Sequence, residues 1–166
     1  MINWKYNPEN YGKIKPVTPG QYRVRIEKAE EAVSSTGKDM IKMTLKVSGH
    51  NQIIFENIVF PIEPASKTGK EYEEYIRQVE FTDNKLGRIF DSFNIEPGNM
   101  NIFTWRGKVG AAEIKNEVDN QGNMQSRIKF FLKRKEQDSL PAWQEGATKN
   151  TVNPNMVDVD DGLAPF

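Results

Sequence analysis

Gly20-Gln21-Tyr22-Arg23-Val24-Arg25-Ile26-Glu27 and Met40-Ile41-Lys42-Met43-Thr44-Leu45-Lys46-Val47 are the two stretches that decide the fold, because apolar and polar residues alternate in both. Period-two alternation places one set of side chains on each face of a strand, here an apolar face and a charged one. Ser34-Ser35-Thr36-Gly37-Lys38-Asp39 between them is rich in turn formers, so the pair reads as a β-hairpin. Working outward, Gly49-His50-Asn51 turns the chain into a third strand, Gln52 to Phe60. Its apolar residues fall on both faces, which leaves its register open.

Pro61 to Lys70 reads as a loop, after which the period changes. Tyr72, Tyr75, Ile76 and Val79, then Leu86, Ile89, Phe90 and Phe93, recur at three- and four-residue spacing. Thr82-Asp83 offers an N-cap for the second stretch, and Glu96-Pro97-Gly98 stops it. Strand patterning returns from Asn101 to Lys115 and from Gln125 to Lys133, on either side of the turn Asp119-Asn120-Gln121-Gly122-Asn123. Three strands, a helical insert and two strands give a mainly β fold in the order of the five-stranded OB-fold, a Greek-key barrel that commonly holds single strands or oligosaccharides.

The chain has 166 residues, enough for one core, and residues 1–140 read as a single domain. From Pro141 the composition turns small and polar, so 141–166 reads as a flexible linker and a disordered acidic tail, with Trp143 expected to pack back on the body. Net charge is zero, but that total conceals a division. Residues 1–143 carry 22 bases and 19 acids, a net of +3, whereas the remainder holds Lys149 against Glu145, Asp158, Asp160 and Asp161. No apolar run approaches the roughly 20 residues of a membrane span. Neither a signal-peptide layout nor any cysteine is present, which fits a bacterial cytoplasm.

Nonspecific binding of a single strand needs cations for phosphates and exposed rings for bases. On the fifth strand, Ile128, Phe130 and Leu132 suit the core, which leaves Arg127, Lys129, Phe131 and Lys133 outside. On the fourth, Arg106 and Lys108 share a side, and Trp105 points inward unless a bulge turns it out. Lys42 and Lys46 line the outer face of the second strand, and Lys38 lies in the hairpin turn before it. The competing reading is a plain solvated face for the cations, and core positions for Trp105 and Phe131. Trp4, Tyr6 and Tyr11 precede the first strand and are candidates to cover the barrel's open end.

Enzymatic chemistry has little to build on. His50 is the single histidine and there is no thiol, so no metal-ligand set forms from those residue types. Gly37-Lys38 and Gly69-Lys70 lack the earlier glycine and the following Ser or Thr of a phosphate loop. No cofactor is expected, and the acidic clusters read as solvated surface.

The final residues, Asp160-Asp161-Gly162-Leu163-Ala164-Pro165-Phe166, put two carboxylates before an apolar tip that ends on Phe. This tip resembles the C-terminal peptide of bacterial single-stranded-DNA-binding proteins, and the resemblance implies that Asp158, Asp160, Asp161, Pro165 and Phe166 dock replication or recombination partners. Pro19-Gly20-Gln21-Tyr22-Arg23-Val24-Arg25-Ile26-Glu27-Lys28-Ala29-Glu30, with Ser35 to Met43, is similar to the start of a family of short phage proteins found in replication and recombination modules. That likeness covers about the first sixty residues and implies a phage setting. The expectation is a nonenzymatic phage single-stranded-DNA-binding protein, able to form homo-oligomers and regulated by tail acids that compete with phosphate. Alternatives are an interaction adaptor or replication mediator with little DNA affinity, and an RNA- or carbohydrate-binding barrel.

Overall fold

The computed structural model describes residues 1–10 and 16–146. Five strands form one antiparallel sheet in the spatial order β3-β2-β1-β4-β5: β1 (Gly20–Val33), β2 (Asp39–Val47), β3 (Ile53–Val59), β4 (Val109–Val118) and β5 (Met124–Phe131). One helix, α1 (Lys70–Phe93), joins β3 to β4. Among the described residues, no helix is long and apolar enough to cross a membrane.

The turns form where the sequence places them. Ser34 N–H donates to the Lys38 carbonyl at 2.8 Å, and Gly37 takes φ 82°, a conformation that strongly favours glycine. At the β4–β5 turn, the Asp119 carboxylate accepts from the Gln121 and Asn123 amides at 2.8 and 2.9 Å. β1 is longer than the alternation at Tyr22 to Ile26 alone suggests. Its first half pairs with β4 through Gly20 to Arg25, and Val24 to Val33 pairs with β2. A bulge between Ile26 and Lys28 bends the strand between these two partners. The outermost strands, β3 and β5, consequently come into contact, although no hydrogen-bonded ladder joins them among the described residues.

The inner faces meet α1 in a single core, with Val24, Ile26, Met43, Leu45, Ile54 and Ile114 against Ile89, Phe90 and Phe93. Full burial of each large apolar side chain contributes about 1.5–3 kcal/mol. β3 settles its open register by turning Ile54 and Ile58 inward and leaving Ile53, Phe55 and Val59 exposed.

Four expectations change. First, the two helical stretches are one continuous helix. Thr82 does not cap anything; it is buried in mid-helix, where its hydroxyl donates to the Val59 carbonyl at 3.5 Å. Second, Ile102–Trp105 is a 3-10 turn, and β4 begins only at Val109. Trp105 is fully buried there, with its indole N–H donating to the Asn99 carbonyl at 3.0 Å and its ring edge-on to Phe90. Third, the ladder of β4 with β5 shifts between Glu113 and Ile114, so that Ile128 faces Ile114 while Phe130 faces Glu113. Lys129 is the extra residue, and it inverts the alternation beyond it: Phe131 turns inward against Phe93, and Phe130 turns outward. Fourth, Pro141 to Gly146 is not free linker but lies against the sheet. The Gln144 amide donates to Ser48 Oγ and the Gly49 amide to the Gln144 carbonyl, both at 2.9 Å.

Candidate nucleic-acid interface

Register fixes which outward side chains become neighbours. Along the outer face of β1, β2 and β3, Arg25, Lys46 and Ile53 lie in one cross-strand row, Lys28, Thr44 and Phe55 in the next, and Glu30, Lys42 and Asn57 in a third. Side chains opposite one another stand about 5 Å apart, and diagonal pairs are within reach of a long side chain. Lys42 uses that diagonal, with its ammonium 5.9 Å from the centre of the Phe55 ring. Phe55 is 50% exposed, so a face of it is open for stacking while a cation stands beside it. Lys42 and Lys46, expected to share a face, do so.

The basic surface continues past β3 into the seam with β5. Ile53 and Phe55 on one side and Met124 and Arg127 on the other line a hollow of about 290 Å³. Farther along, Phe81, Lys85 and Arg88 of α1 meet Lys129 and Phe130 around a hollow of about 230 Å³. Arg88 holds this end together by donating to the Phe131 carbonyl at 2.9 Å while its guanidinium stands 5.6 Å from the Phe130 ring centre. Lys129 pairs with Glu113 at 3.4 Å, and Lys85 with Glu56 at 2.8 Å.

The other expected site residues scatter. Lys38 stays in the hairpin turn and borders a separate hollow with Val59, Arg77 and Phe81. Arg106 and Lys108 flank Gly107 on the β4 side of β1, where Ile26 exchanges backbone hydrogen bonds with Gly107 and Lys108. Lys133 is exposed at the start of the short 3-10 helix Arg134–Gln137, beyond the end of β5. Trp105 and Phe131, at 0% and 2% exposure, offer no ring face to a base. Trp4 and Tyr6, expected to cover an open end of the fold, stand exposed. Asp158, Asp160, Asp161, Pro165, Phe166 and Tyr11 lie outside the described residues.

Arg25 and Phe55 are side chains that sequence reasoning passed over, Phe130 was assigned to the core, and Trp143 packs back on the body as expected. Arg25 did carry a signal, since it alternates with buried Val24 and Ile26. The side chain of Arg25 points into the middle of the face, where it binds Glu145 at 2.6 Å and stacks 4.7 Å from the centre of the Trp143 ring. Lys46, only 12% exposed, lies 3.7 Å from the same carboxylate. The Trp143 indole N–H donates to Glu145 at 2.8 Å, and that bond first, then Arg25, holds the Glu145 carboxyl well below its ordinary value, at about 2. His50 is a turn residue whose Nδ1 lies 2.9 Å from the Ser48 carbonyl, and its ring meets Tyr22 edge-on. Among the described residues, no three His, Cys, Asp or Glu side chains come together as a metal site would require. The chain matches no protein-family model, and a search of curated proteins finds no match.

Proposed function

We propose that this is a nonenzymatic protein that binds single-stranded DNA with little sequence preference, through the outer face of β1, β2 and β3 and the seam to β5. The observation that carries the reading is the exposed Phe55 ring, with Lys42 beside it on one side and Arg127 across the seam on the other. A ring between two cations suits a strand, whose bases stack while its phosphates take the charges. The architecture supports the same reading. A strand order β3-β2-β1-β4-β5, a helix after β3 and contact between β3 and β5 are compatible with an OB-fold Greek-key barrel. Within this proposal the setting is phage replication or recombination in a host bacterium, and the tip Asp158, Asp160, Asp161, Pro165 and Phe166 recruits partner proteins.

Titration with oligo-dT at low and high salt, followed by tryptophan fluorescence, tests the proposal. Binding is expected to fall as salt rises, by about 0.7 in the log–log slope for each phosphate contacted. No salt-sensitive binding would sink it. An interaction adaptor with little DNA affinity is favoured by one other observation: a hollow of about 580 Å³ lined by Val33, Met40, Phe60, Met100 and Phe103, with Phe103 almost wholly exposed. Association with a replication protein in the absence of any oligonucleotide binding would select that reading instead.

A further inference from the structure

Pro141 to Gly146 crosses the strand-binding face carrying an anion and a planar ring, the two chemical handles of a nucleotide. The anion is Glu145. Its carboxylate accepts from Arg25 at 2.6 Å and from the Trp143 indole at 2.8 Å, and it lies 3.7 Å from Lys46. The ring is Trp143, stacked over the Arg25 guanidinium as a base stacks on an arginine plane. We propose that Arg25 and Lys46 form a phosphodiester subsite of the strand-binding face, and that the Pro141–Gly146 strap keeps this subsite closed by setting Glu145 in the place of a phosphate and Trp143 in the place of a base.

The inference rests on the strand-binding reading and adds to it a subsite and the means of its regulation. Three features make the exchange chemically balanced. A carboxylate and a phosphodiester each carry one negative charge and each accept two hydrogen bonds from a guanidinium, so replacing one with the other leaves Arg25 satisfied. Lys46 and Arg25 are opposite each other on adjacent strands, which fixes two cations at one anion's reach before any ligand arrives. Glu27 also pairs with Arg25, taking Nε and Nη2 while Nη1 donates to Glu145, so the guanidinium keeps its orientation when Glu145 leaves.

The strap is also held by contacts that do not involve its ring or charge. Arg23 donates to the carbonyls of Pro141, Gln137 and Leu140 at 2.7, 3.2 and 3.3 Å, which anchors the N-terminal end of the strap. Past that anchor, the Gln144 hydrogen bonds to Ser48 and Gly49 meet the start of the β2–β3 turn. Departure of Trp143 and Glu145 from the face therefore breaks the two Gln144 hydrogen bonds as well, and leaves the Arg23 contacts as the hinge. The carboxylate is 38% exposed, so an incoming strand can reach the cations it occupies.

Glu145→Gln in the full chain provides the test, because it removes the charge and keeps the shape of a half-exposed side chain. Against oligo-dT at low salt, Glu145→Gln is expected to bind about fivefold or more tightly than the wild type, the lower range of a coupling between two sites. Its affinity is also expected to fall more steeply with salt. Adding Arg25→Ala to Glu145→Gln is expected to abolish the gain. Wild-type binding that Glu145→Gln leaves unchanged or weakens would overturn the strap and leave the strand-binding reading standing. A gain that survives Arg25→Ala would overturn the subsite assignment. Absence of binding by both proteins would overturn the strand-binding reading and the strap with it.

Discussion

Lys129 is the residue at which β5 changes phase. Counting outward from Ile128 by twos predicts Phe130 inside and Phe131 outside, and the one extra residue opposite Glu113 and Ile114 reverses both. A period count cannot see a bulge, because the bulge exists only in the pairing with β4. The two rings therefore answer to different measurements. Phe131→Ala is expected to cost about 3–5 kcal/mol of stability, read by chemical denaturation, because it empties the space against Phe93. Phe55→Ala is expected to leave the unfolding midpoint nearly unchanged and to weaken oligo-dT affinity by about tenfold, within the 1–3 kcal/mol a stacked base contributes. Glu145 adds a pH dependence of known sign. Its folded value near 2 lies below the ordinary 4.5, so its hold on Arg25 is fully present above about pH 4.5 and is lost as pH falls toward 2. Trp143 emission, taken by difference from Trp143→Phe, is expected to change across that window and to stay constant above it.

Among the elements, α1 and β4 show what local pattern can and cannot reveal. The three- and four-residue spacing of Leu86, Ile89, Phe90 and Phe93 identified the buried face of the helix correctly. Thr82-Asp83 suggested a cap because a threonine hydroxyl accepts amide hydrogens at helix starts, but the same hydroxyl here finds the Val59 carbonyl at the end of β3. That choice is made by tertiary contact, and no local signal encodes it. β4 was extended too far at its start for a similar reason: Trp105 reads as a strand residue until Asn99 and Phe90 surround it. Gly110 is where helix and strand approach most closely at a glycine of β4. A Cβ there would lie 2.7 Å from Ser92 Oγ and 2.8 Å from Phe93 Cδ1, while Ser92 Oγ exchanges hydrogen bonds with the Ala111 amide and carbonyl. Gly110→Ala is expected to destabilise the fold by about 1–3 kcal/mol, seen as a lowered thermal midpoint, because helix and strand must separate to admit the methyl group.

On the scale of the whole molecule, element order was legible because the switch from period two to helical spacing and back follows the switch from β3 to α1 and on to β4. Ser34 to Lys38 and Asp119 to Asn123 are turns, one residue shorter than read at the first, and the outward cations of β2 lie where alternation puts them. The return of Trp143 to the body was legible, but the course of the strap around it was not. Pro141 to Gly146 has the composition of a linker, and its attachment depends on partners more than ninety residues away: Ser48 for Gln144, and Arg25 for Glu145. The seam was hidden too, since contact between β3 and β5 follows from the bend in β1 rather than from any residue pattern in either strand. That seam bears on the sheet's open edges. A flat sheet ends in two rows of unpaired amides and carbonyls, each a template on which a foreign strand can grow into an aggregate. Here the two rows belong to β3 and β5, which face each other, and the Lys129 bulge roughens one of them. Ile53, Phe55 and Met124 stand exposed beside these margins, and the contact of β3 with β5 leaves less open edge there for a foreign strand to extend.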